Sequence, residues 1–355
     1  MKKSLLALAV LGAFAGVASA QSSVTLSGTI DLGAKFVKND TVGRVVSMGT
    51  DGLNASQLVF SGTEDLGGGL KAGFELNAGL AANSGSTYEI ASGAAANAKF
   101  FARRSIVRLM GGFGEVRLGR DYTPTFWNPA IFDPFGTVGT GNSLNLTHYL
   151  GSVGLNVAQQ PSTYIWSDNA VSYFLPGGIG GVYGQVTVAP GAGGPGKYVG
   201  GRVGFAAGPF DIAAAAGRQD VVAGGSTKFE SFNLAGSYDL SVVKLMAQYN
   251  NEQLKGGTVA KETRWLLGAV VPMGQGEIHA SYIRTDETSA LNRDASQFAL
   301  GYVYNLSKRT ALYSTVSLID NKNAGTFMIG GGAAPDATFP GKNSRGGEVG
   351  IRHFF

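Results

Sequence analysis

The segment that decides the fold is Ser61–Leu76, which reads "SGTEDLGGGLKAGFEL". Three glycines stand in its centre, and from Leu70 onward every second residue is apolar. Such an alternation is typical of a β-strand with one apolar and one polar face. Glycine runs are typical of tight turns, because glycine adopts left-handed backbone conformations without steric cost. The segment therefore predicts a hairpin of two-faced strands.

The same two features recur along the whole chain. In 24–36, "VTLSGTIDLGAKF", the apolar residues fall mostly on even positions, and Asp31 and Lys35 lie on the opposite face. Seven short connections join successive strand-like runs: "DLGGGL", "GGFGEV", "PGGIGG", "AAGPFD", "YDLSVV", "PMGQGE" and "YNLSKR". Longer polar segments separate the members of this series. Two strands for each turn, with one further strand at each end of the chain, predict sixteen antiparallel strands.

Composition narrows the class of protein. The chain has 355 residues, of which 44% are hydrophobic, 15% are charged and 55 are glycine, and so much glycine disfavours long helices. It has no cysteine, so it is not a disulfide scaffold. Residues 1–20 have a basic start, an apolar stretch and a small-residue end, which predict a secretory signal peptide. We therefore expect an exported protein with a single domain over residues 21–355.

The charge balance does not indicate a nucleic-acid partner. Removal of the signal peptide takes away Lys2 and Lys3 and lowers the formal net charge from +4 to +2. No basic stripe with interleaved aromatic residues is present in the sequence. We expect no binding of nucleic acid.

An even number of antiparallel strands, with short turns at one end and long loops at the other, is typical of an outer-membrane β-barrel. After the signal peptide, no stretch of about 18 apolar residues predicts a spanning helix. Unpaired backbone groups in hydrocarbon cost several kcal/mol, so a sheet there must close on itself. A soluble β-sandwich or solenoid is the alternative, but the signal peptide, the lack of cysteine and the terminal "VGIRHFF" favour the barrel. The predicted fold class is all-β, a transmembrane antiparallel β-barrel of sixteen strands around a water-filled lumen.

Residues 121–163 do not alternate. This segment is rich in aromatic residues and in proline, and disordered segments are poor in aromatic residues. We therefore expect this loop to fold inward and to narrow the lumen. Its carboxylates, Asp121 and Asp133, would face arginines of the wall, and charges at a constriction bias which ions pass. These arginines are Arg103, Arg104, Arg108, Arg117 and Arg120. Strand parity does not decide which of Arg103 and Arg104 points into the pore.

Several blocks of sequence occur in a fixed order: "GTEDLGGGLKAGF", "RRSIV" followed by "FGEVRLGRD", "LGYVYNLSKRTALY" and "VGIRHFF". With these blocks the chain resembles the trimeric general-diffusion porins of Gram-negative bacteria, in particular their betaproteobacterial branch. The resemblance implies an outer-membrane channel for passive diffusion of ions and small hydrophilic solutes, without a cofactor. It also implies a homotrimer, surrounded by outer-membrane lipid and lipopolysaccharide, in which the third loop forms the constriction.

By position, Arg103 resembles a wall arginine of the porin constriction, and Asp133 resembles a carboxylate of the constriction loop. Two positions that are often arginine in anion-preferring relatives are Gln57 and Trp166 here, and strand parity places both on the inner face. We therefore expect a weak anion preference and a pore narrowed beside Trp166. The expected constriction residues are Gln57, Lys71, Arg103, Arg104, Arg108, Asp121, Asp133 and Trp166.

Two other functions are less well supported. An outer-membrane enzyme needs a nucleophile or an activated water beside a base. The three histidines are far apart in the sequence, and neither a G-x-S-x-G nor an H-E-x-x-H motif is present. A channel specific for a sugar or a small organic anion could use Tyr122, Phe126, Trp127 and Trp166 as a stacking path. Because loop packing explains the same aromatic residues, we expect a general pore and no enzyme.

Overall fold

The computed structural model describes residues 23–40, 43–87, 99–147, 164–191, 196–221, 227–256, 261–330 and 340–355. The expected signal peptide, residues 1–20, lies outside these ranges, and so does the stretch 148–163 of the aromatic-rich loop. The described residues are mostly strand, with one α-helix and one 3₁₀-helix.

Sixteen strands form the wall. They are β1 (Ser23–Asn39), β2 (in two segments, Gly43–Thr50 and Gln57–Gly67), β3 (Leu70–Ala81), β4 (Arg104–Gly111), β5 (Gly114–Tyr122), β6 (Trp166–Phe174), β7 (Val182–Ala189), β8 (Tyr198–Ala207), β9 (Phe210–Asp220), β10 (Lys228–Asp239), β11 (Lys244–Lys255), β12 (Lys261–Met273), β13 (Gly276–Glu287), β14 (Asp294–Asn305), β15 (Thr310–Lys322) and β16 (Ser344–Phe354). A two-residue strand, Ser86–Thr87, folds back and pairs antiparallel with Leu80 and Ala81 at the end of β3, outside the sheet of the wall.

The strands form one closed antiparallel sheet. Each strand pairs with its neighbours in sequence, and β1 also pairs with β16, from Thr29↔Phe354 to Asn39↔Ser344. β2 is interrupted at residues 51–56, so its two segments pair with different halves of β1. Closure leaves no free sheet edge, which a wall of strands in hydrocarbon requires. The predicted sixteen-stranded antiparallel barrel is confirmed.

The two faces of the wall differ as the alternation predicts, and β15 illustrates this. Leu312, Val316 and Leu318 point outward and are between 43% and 52% exposed. Thr315 and Ser317, which alternate with them, point inward and are each 6% exposed. A band of exposed aliphatic side chains is unfavourable in water and favourable in lipid. The outer face is therefore built for hydrocarbon and the inner face for polar contacts.

The seven short connections of the sequence all lie between consecutive strands at one end of the barrel. In the connection of β2 to β3, Gly67, Gly68 and Gly69 have φ values of +83°, +62° and +81°. A residue with a Cβ rarely adopts this left-handed conformation, which explains why three glycines stand there. β1 begins and β16 ends at this same end, as the strand count predicts.

The described part of the long connection between β5 and β6 folds into the barrel, as expected of the constriction loop. It begins with α1 (Pro124–Ile131), which packs against β7–β10. Proline suits the first position of a helix because its missing N–H has no partner there. A 3₁₀-helix, Ser143–Leu146, then packs against β13 and β14. Neither described helix has the length and hydropathy needed to span a membrane.

Candidate functional site

The loop lies along one half of the inner wall and leaves the other half open. Asn128 of α1 donates to Asn233 Oδ1 on β10 (2.8 Å), and Gln297 of β14 donates to the carbonyl of Gly141 (3.0 Å). At the loop tip, the N–H of Thr140 donates to Glu348 Oε1 on β16 (2.6 Å). These contacts attach the loop to β10, β14 and β16. The open part of the lumen is therefore bordered by the loop and by the wall from β2 to β6.

A buried cluster holds the returning limb of the loop. Arg264 of β12 forms ion pairs with Glu262 (2.7 Å) and Glu252 (3.4 Å), and it donates to the hydroxyl of Tyr164 (3.2 Å). Tyr164 in turn donates to Glu252 (2.6 Å). Burial, followed by the charge of Glu252, raises the pKa of Tyr164 well above its ordinary value, so the phenol stays a neutral donor. We call these four residues the anchor cluster.

Arginines and carboxylates alternate on the open wall. Arg104 of β4 forms ion pairs with Glu75 (2.9 Å) and Asp121 (2.7 Å). Arg117 of β5 forms ion pairs with Glu115 (2.8 Å) and with the other oxygen of Asp121 (2.9 Å). These strands are neighbours in the wall, so the pairs form a continuous row. Charged hydrogen bonds on both sides fix the arginines in place.

Arg108 completes this row at 3.8 Å from Glu115. The row, which we call the ion-pair ladder, consists of Arg104, Arg108, Arg117, Glu75, Glu115 and Asp121. Three arginines face three carboxylates, so the formal charges of the ladder cancel. The ladder therefore places charges of both signs beside the pore and adds no net charge.

Arg103 adds a positive charge beside the ladder. Its Nη2 donates to the hydroxyl of Tyr122 (2.8 Å), and its guanidinium carbon lies 6.0 Å from the ring centroid of Trp166. Among the described residues, no carboxylate forms an ion pair with Arg103 within 4.0 Å. It interacts electrostatically with Asp51, in the interruption of β2. Both Arg103 and Arg104 therefore contribute to this wall, the first before β4 begins and the second as its first residue.

Gln57 and Trp166 lie next to these arginines. Gln57 accepts a hydrogen bond from Asn77 (2.9 Å), whose carbonyl accepts from the N–H of Arg103 (3.2 Å). Trp166 lies 5.4 Å from the guanidinium carbon of Arg120. Gln57 and Trp166 are therefore neutral side chains beside the arginines, where an arginine at either position would add a positive charge.

The structure places Lys71 apart from this group. Lys71 is the second residue of β3, beside the Gly67–Gly69 turn, and its side chain is exposed. It lies six residues before Asn77 on the same strand, or roughly 20 Å along it. Its charge is therefore at the turn end of the lumen and not beside Arg103.

Asp133 also lies apart, because it is buried inside the loop. Its carboxylate accepts the backbone N–H groups of Phe135 (2.9 Å), Thr137 (3.1 Å) and Ser143 (3.1 Å). Burial raises the pKa of Asp133, and these hydrogen bonds act in the opposite direction. The exposed rim of the loop instead carries apolar groups, among them Ile131, which is 40% exposed. In the described part of the loop, no carboxylate faces the ladder from across the lumen.

Asp31 on β1, Asp51 in the interruption of β2 and Glu348 on β16 form an acidic group around Tyr313 that was not expected from the sequence. Asp31 accepts the N–H groups of Leu53 and Asn54 (both 2.7 Å) and the hydroxyl of Tyr313 (2.6 Å). Strand parity places Asp31 on the polar face of β1, and the same alternation on β3 would have identified Glu75 as a residue of the polar face.

Within the described ranges, no group of three or more His, Asp or Glu side chains is arranged to hold a metal ion.

Comparison with known proteins gives one consistent result. The family model described as Gram-negative porin matches residues 7–324. Outer membrane porin protein 32 of Delftia acidovorans is 38% identical over 368 residues, which cover 100% of both chains. An outer membrane porin protein of Bordetella pertussis is 27% identical over 386 residues, covering 90% of this chain and 95% of the relative.

Among solved structures, the barrel is similar to the anion-selective porin from Comamonas acidovorans. The TM-score is 0.81 at 34% sequence identity, and the match covers 94% of this chain and 100% of that chain. The similarity therefore includes the fold, the sequence and nearly the full length of both proteins. This chain belongs to the Gram-negative porin family and is a channel of the outer membrane.

Proposed function

We propose that this porin conducts ions and small hydrophilic solutes with a weak preference for anions, set at the constriction beside Arg103. The observation that carries the proposal is that Arg103 has no carboxylate ion-pair partner among the described residues, whereas the neighbouring ladder is balanced. A charge without an ion-pair partner at the narrowest part of a pore acts on permeating ions where little water screens it. The apolar rim of the loop adds no opposing charge.

The preference is weak for two reasons. Gln57 and Trp166 supply no charge at positions that are often arginine in anion-preferring relatives. Asp51, in the interruption of β2, lies close enough to Arg103 to interact with it electrostatically and so offsets part of its charge. We therefore expect a smaller selectivity than several unpaired arginines would produce.

The test is the reversal potential of single channels in a salt gradient. Wild-type protein should show a modest preference for chloride over potassium, and Arg103→Gln should bring the reversal potential close to zero. Arg218→Gln is the matched control, because Arg218 is an exposed residue on the outer face of β9. Wild-type selectivity for cations, or an unchanged reversal potential in Arg103→Gln, would contradict the proposal.

The resemblance and the family support three further proposals. The protein is not an enzyme, since its family and fold are those of channels; purified protein should hydrolyse neither lipid nor peptide. It assembles as a homotrimer, so current steps in planar bilayers should occur in groups of three. Its apolar outer face contacts outer-membrane lipid and lipopolysaccharide, so lipopolysaccharide should co-purify with protein extracted from outer membranes.

A second candidate function is a channel specific for a sugar or a small organic anion. Tyr122 and Phe126, which are 9% and 7% exposed, pack inside the loop and are not available for stacking. Trp127 and Trp166 are more accessible; Trp166 lies beside Arg103, and Trp127 lines a recess together with Arg202. A pore with a specific site differs from a general pore in that low concentrations of its solute block the ion current.

A further inference from the structure

We propose that a recess under α1 is a binding site for small aromatic carboxylates that pass the constriction. The recess has a volume of about 280 Å³ and lies between α1 and the inner faces of β6, β7 and β8. It is lined by Trp127, Ile131, Phe174, Leu175, Tyr183, Gly184, Gln185 and Arg202. The inference rests on the proposed anion preference, because the solute must first pass Arg103.

The recess lies beside the ion-pair ladder. Phe174, the last residue of β6, pairs in register with Glu115 on one side and with Gln185 on the other. The guanidinium carbon of Arg117 lies 3.9 Å from the ring centroid of Phe174. A solute that follows the open wall therefore reaches the recess directly after the ladder.

Two sides of the recess are apolar. Trp127 and Ile131 are four residues apart on α1 and so project from the same face of the helix. Phe174 and Leu175 lie across from them at the end of β6, and Leu175 is 38% exposed. Sites for drug-sized ligands begin at about 300 Å³, so this recess fits a solute with a single ring.

Arg202 supplies the charge. Its Nε donates to Asn128 Oδ1 (2.6 Å) and its Nη2 donates to the hydroxyl of Tyr183 (3.2 Å). Its Nη1 group has no protein acceptor among the described residues, and no carboxylate of those residues forms an ion pair with it within 4.0 Å. A guanidinium with free donors is the usual partner of a carboxylate in proteins.

Two further polar groups of the recess, the hydroxyl of Tyr183 and the side-chain N–H₂ group of Gln185, already have partners. The hydroxyl of Tyr183 donates to Asp211 Oδ1 (2.6 Å). The amide of Gln185 donates to Thr187 Oγ1 (3.1 Å) and to the carbonyl of Tyr122 (3.4 Å). A sugar needs several hydrogen-bond partners, of which this recess offers few, and Arg202 repels cations. A flat apolar ring with one carboxylate matches both the apolar sides and the available donors.

Single-channel recording in planar bilayers tests the site with benzoate as the probe. Benzoate should interrupt the chloride current in a concentration-dependent manner. Acetate carries the same charge without a ring, and benzamide carries the ring without the charge; at equal concentration neither should interrupt it. If acetate or benzamide interrupts the current as strongly as benzoate does, the inference is wrong.

Two variants locate the site. Arg202→Gln should raise the half-blocking concentration of benzoate about tenfold, since it removes a charged donor. Ile131→Ser should raise it about fourfold, since it removes apolar contact. Arg218→Gln, on the outer face, is the matched control and should leave it unchanged. If Arg202→Gln forms no channels, Ile131→Ser still tests the recess; block that persists unchanged in Ile131→Ser would overturn the assignment.

The same recordings separate this inference from the proposed function. The reversal potential of the wild-type channel, measured before benzoate is added, reports the anion preference. A channel with the expected anion preference but without benzoate block refutes the recess alone. A channel without anion preference refutes the proposed function, whether or not benzoate blocks the current.

Discussion

Two arginine–carboxylate clusters on the inner wall have similar chemistry and different surroundings. In the anchor cluster, Arg264, Glu252 and Glu262 are at most 2% exposed and lie beneath the loop. In the ion-pair ladder, the side chains of Arg104 and Arg117 are both 14% exposed and border the open lumen. A fully buried ion pair is costly to break, whereas a pair that borders water is partly screened and contributes less to stability. Burial therefore makes one cluster a structural support and leaves the charges of the other available to ions.

The largest effect is expected from the anchor cluster. Arg264→Gln leaves two buried carboxylates without their cation, and breaking a buried ion pair typically costs about 3–5 kcal/mol. The loop limb at Tyr164 should detach, which would raise single-channel conductance and current noise and lower the thermal stability in detergent. Arg284→Gln is the matched control on β13, because Arg284 is 51% exposed in its pair with Asp286. Equal behaviour of the two variants would contradict the distinction between the clusters.

Charge reversal beside the ladder should change selectivity and leave stability nearly intact. Arg103→Glu replaces the unpaired cation by an anion, so the reversal potential in a potassium chloride gradient should change sign toward cations. Lys71→Glu makes the same change of charge at the turn end and should shift the potential less. A larger shift from Lys71→Glu would place the selective region near the turns and not beside Arg103.

A substitution of Asp133 tests whether the loop needs this buried hydrogen-bond acceptor. Asp133→Asn replaces an acceptor oxygen by an N–H₂ group that faces backbone N–H donors, and an unsatisfied buried group costs about 1–3 kcal/mol. Current noise should therefore increase without a change in the reversal potential. Asp40→Asn, at the outer end of β1, serves as control. A changed reversal potential in Asp133→Asn would mean that this carboxylate does act on permeating ions.

The smallest effect is expected from within the ladder. Glu115→Gln removes one of its three carboxylates and leaves one positive charge in excess. The reversal potential should move slightly toward anions, by less than Arg103→Glu moves it in the other direction. A shift toward cations would show that the ladder does not act through its net charge.

The strands and turns could be predicted from the sequence because they depend on local patterns. The alternation around Leu70 and the three glycines before it specify faces and a turn without distant residues. Arg104 follows the parity of β4, whereas Arg103 lies just before the strand, where parity has no meaning. The sequence therefore could not show which of the two arginines points into the pore, because it does not show the residue at which β4 begins.

The loop and the interruption of β2 could not be predicted in the same way. Asp133 lies in a loop whose hydrogen bonds join residues up to Ser143, and no periodicity shows whether such a carboxylate points inward or outward. Residues 51–56 leave the wall because Asp31 on another strand accepts the N–H groups of Leu53 and Asn54. Neither feature follows from a periodic pattern, because the partners of Asp133 lie within its own irregular loop and those of Asp31 lie beyond its own strand.

The attachment of the loop tip to the last strand has a consequence for assembly. Thr140 is held by Glu348, and Glu348 lies on β16, which joins β1 to complete the wall. The constriction of the channel therefore reaches its final width only when β1 and β16 pair. A barrel in which β1 and β16 had not paired would have a wide pore without selectivity. The single-channel conductance of the assembled protein therefore reports whether these two strands have paired.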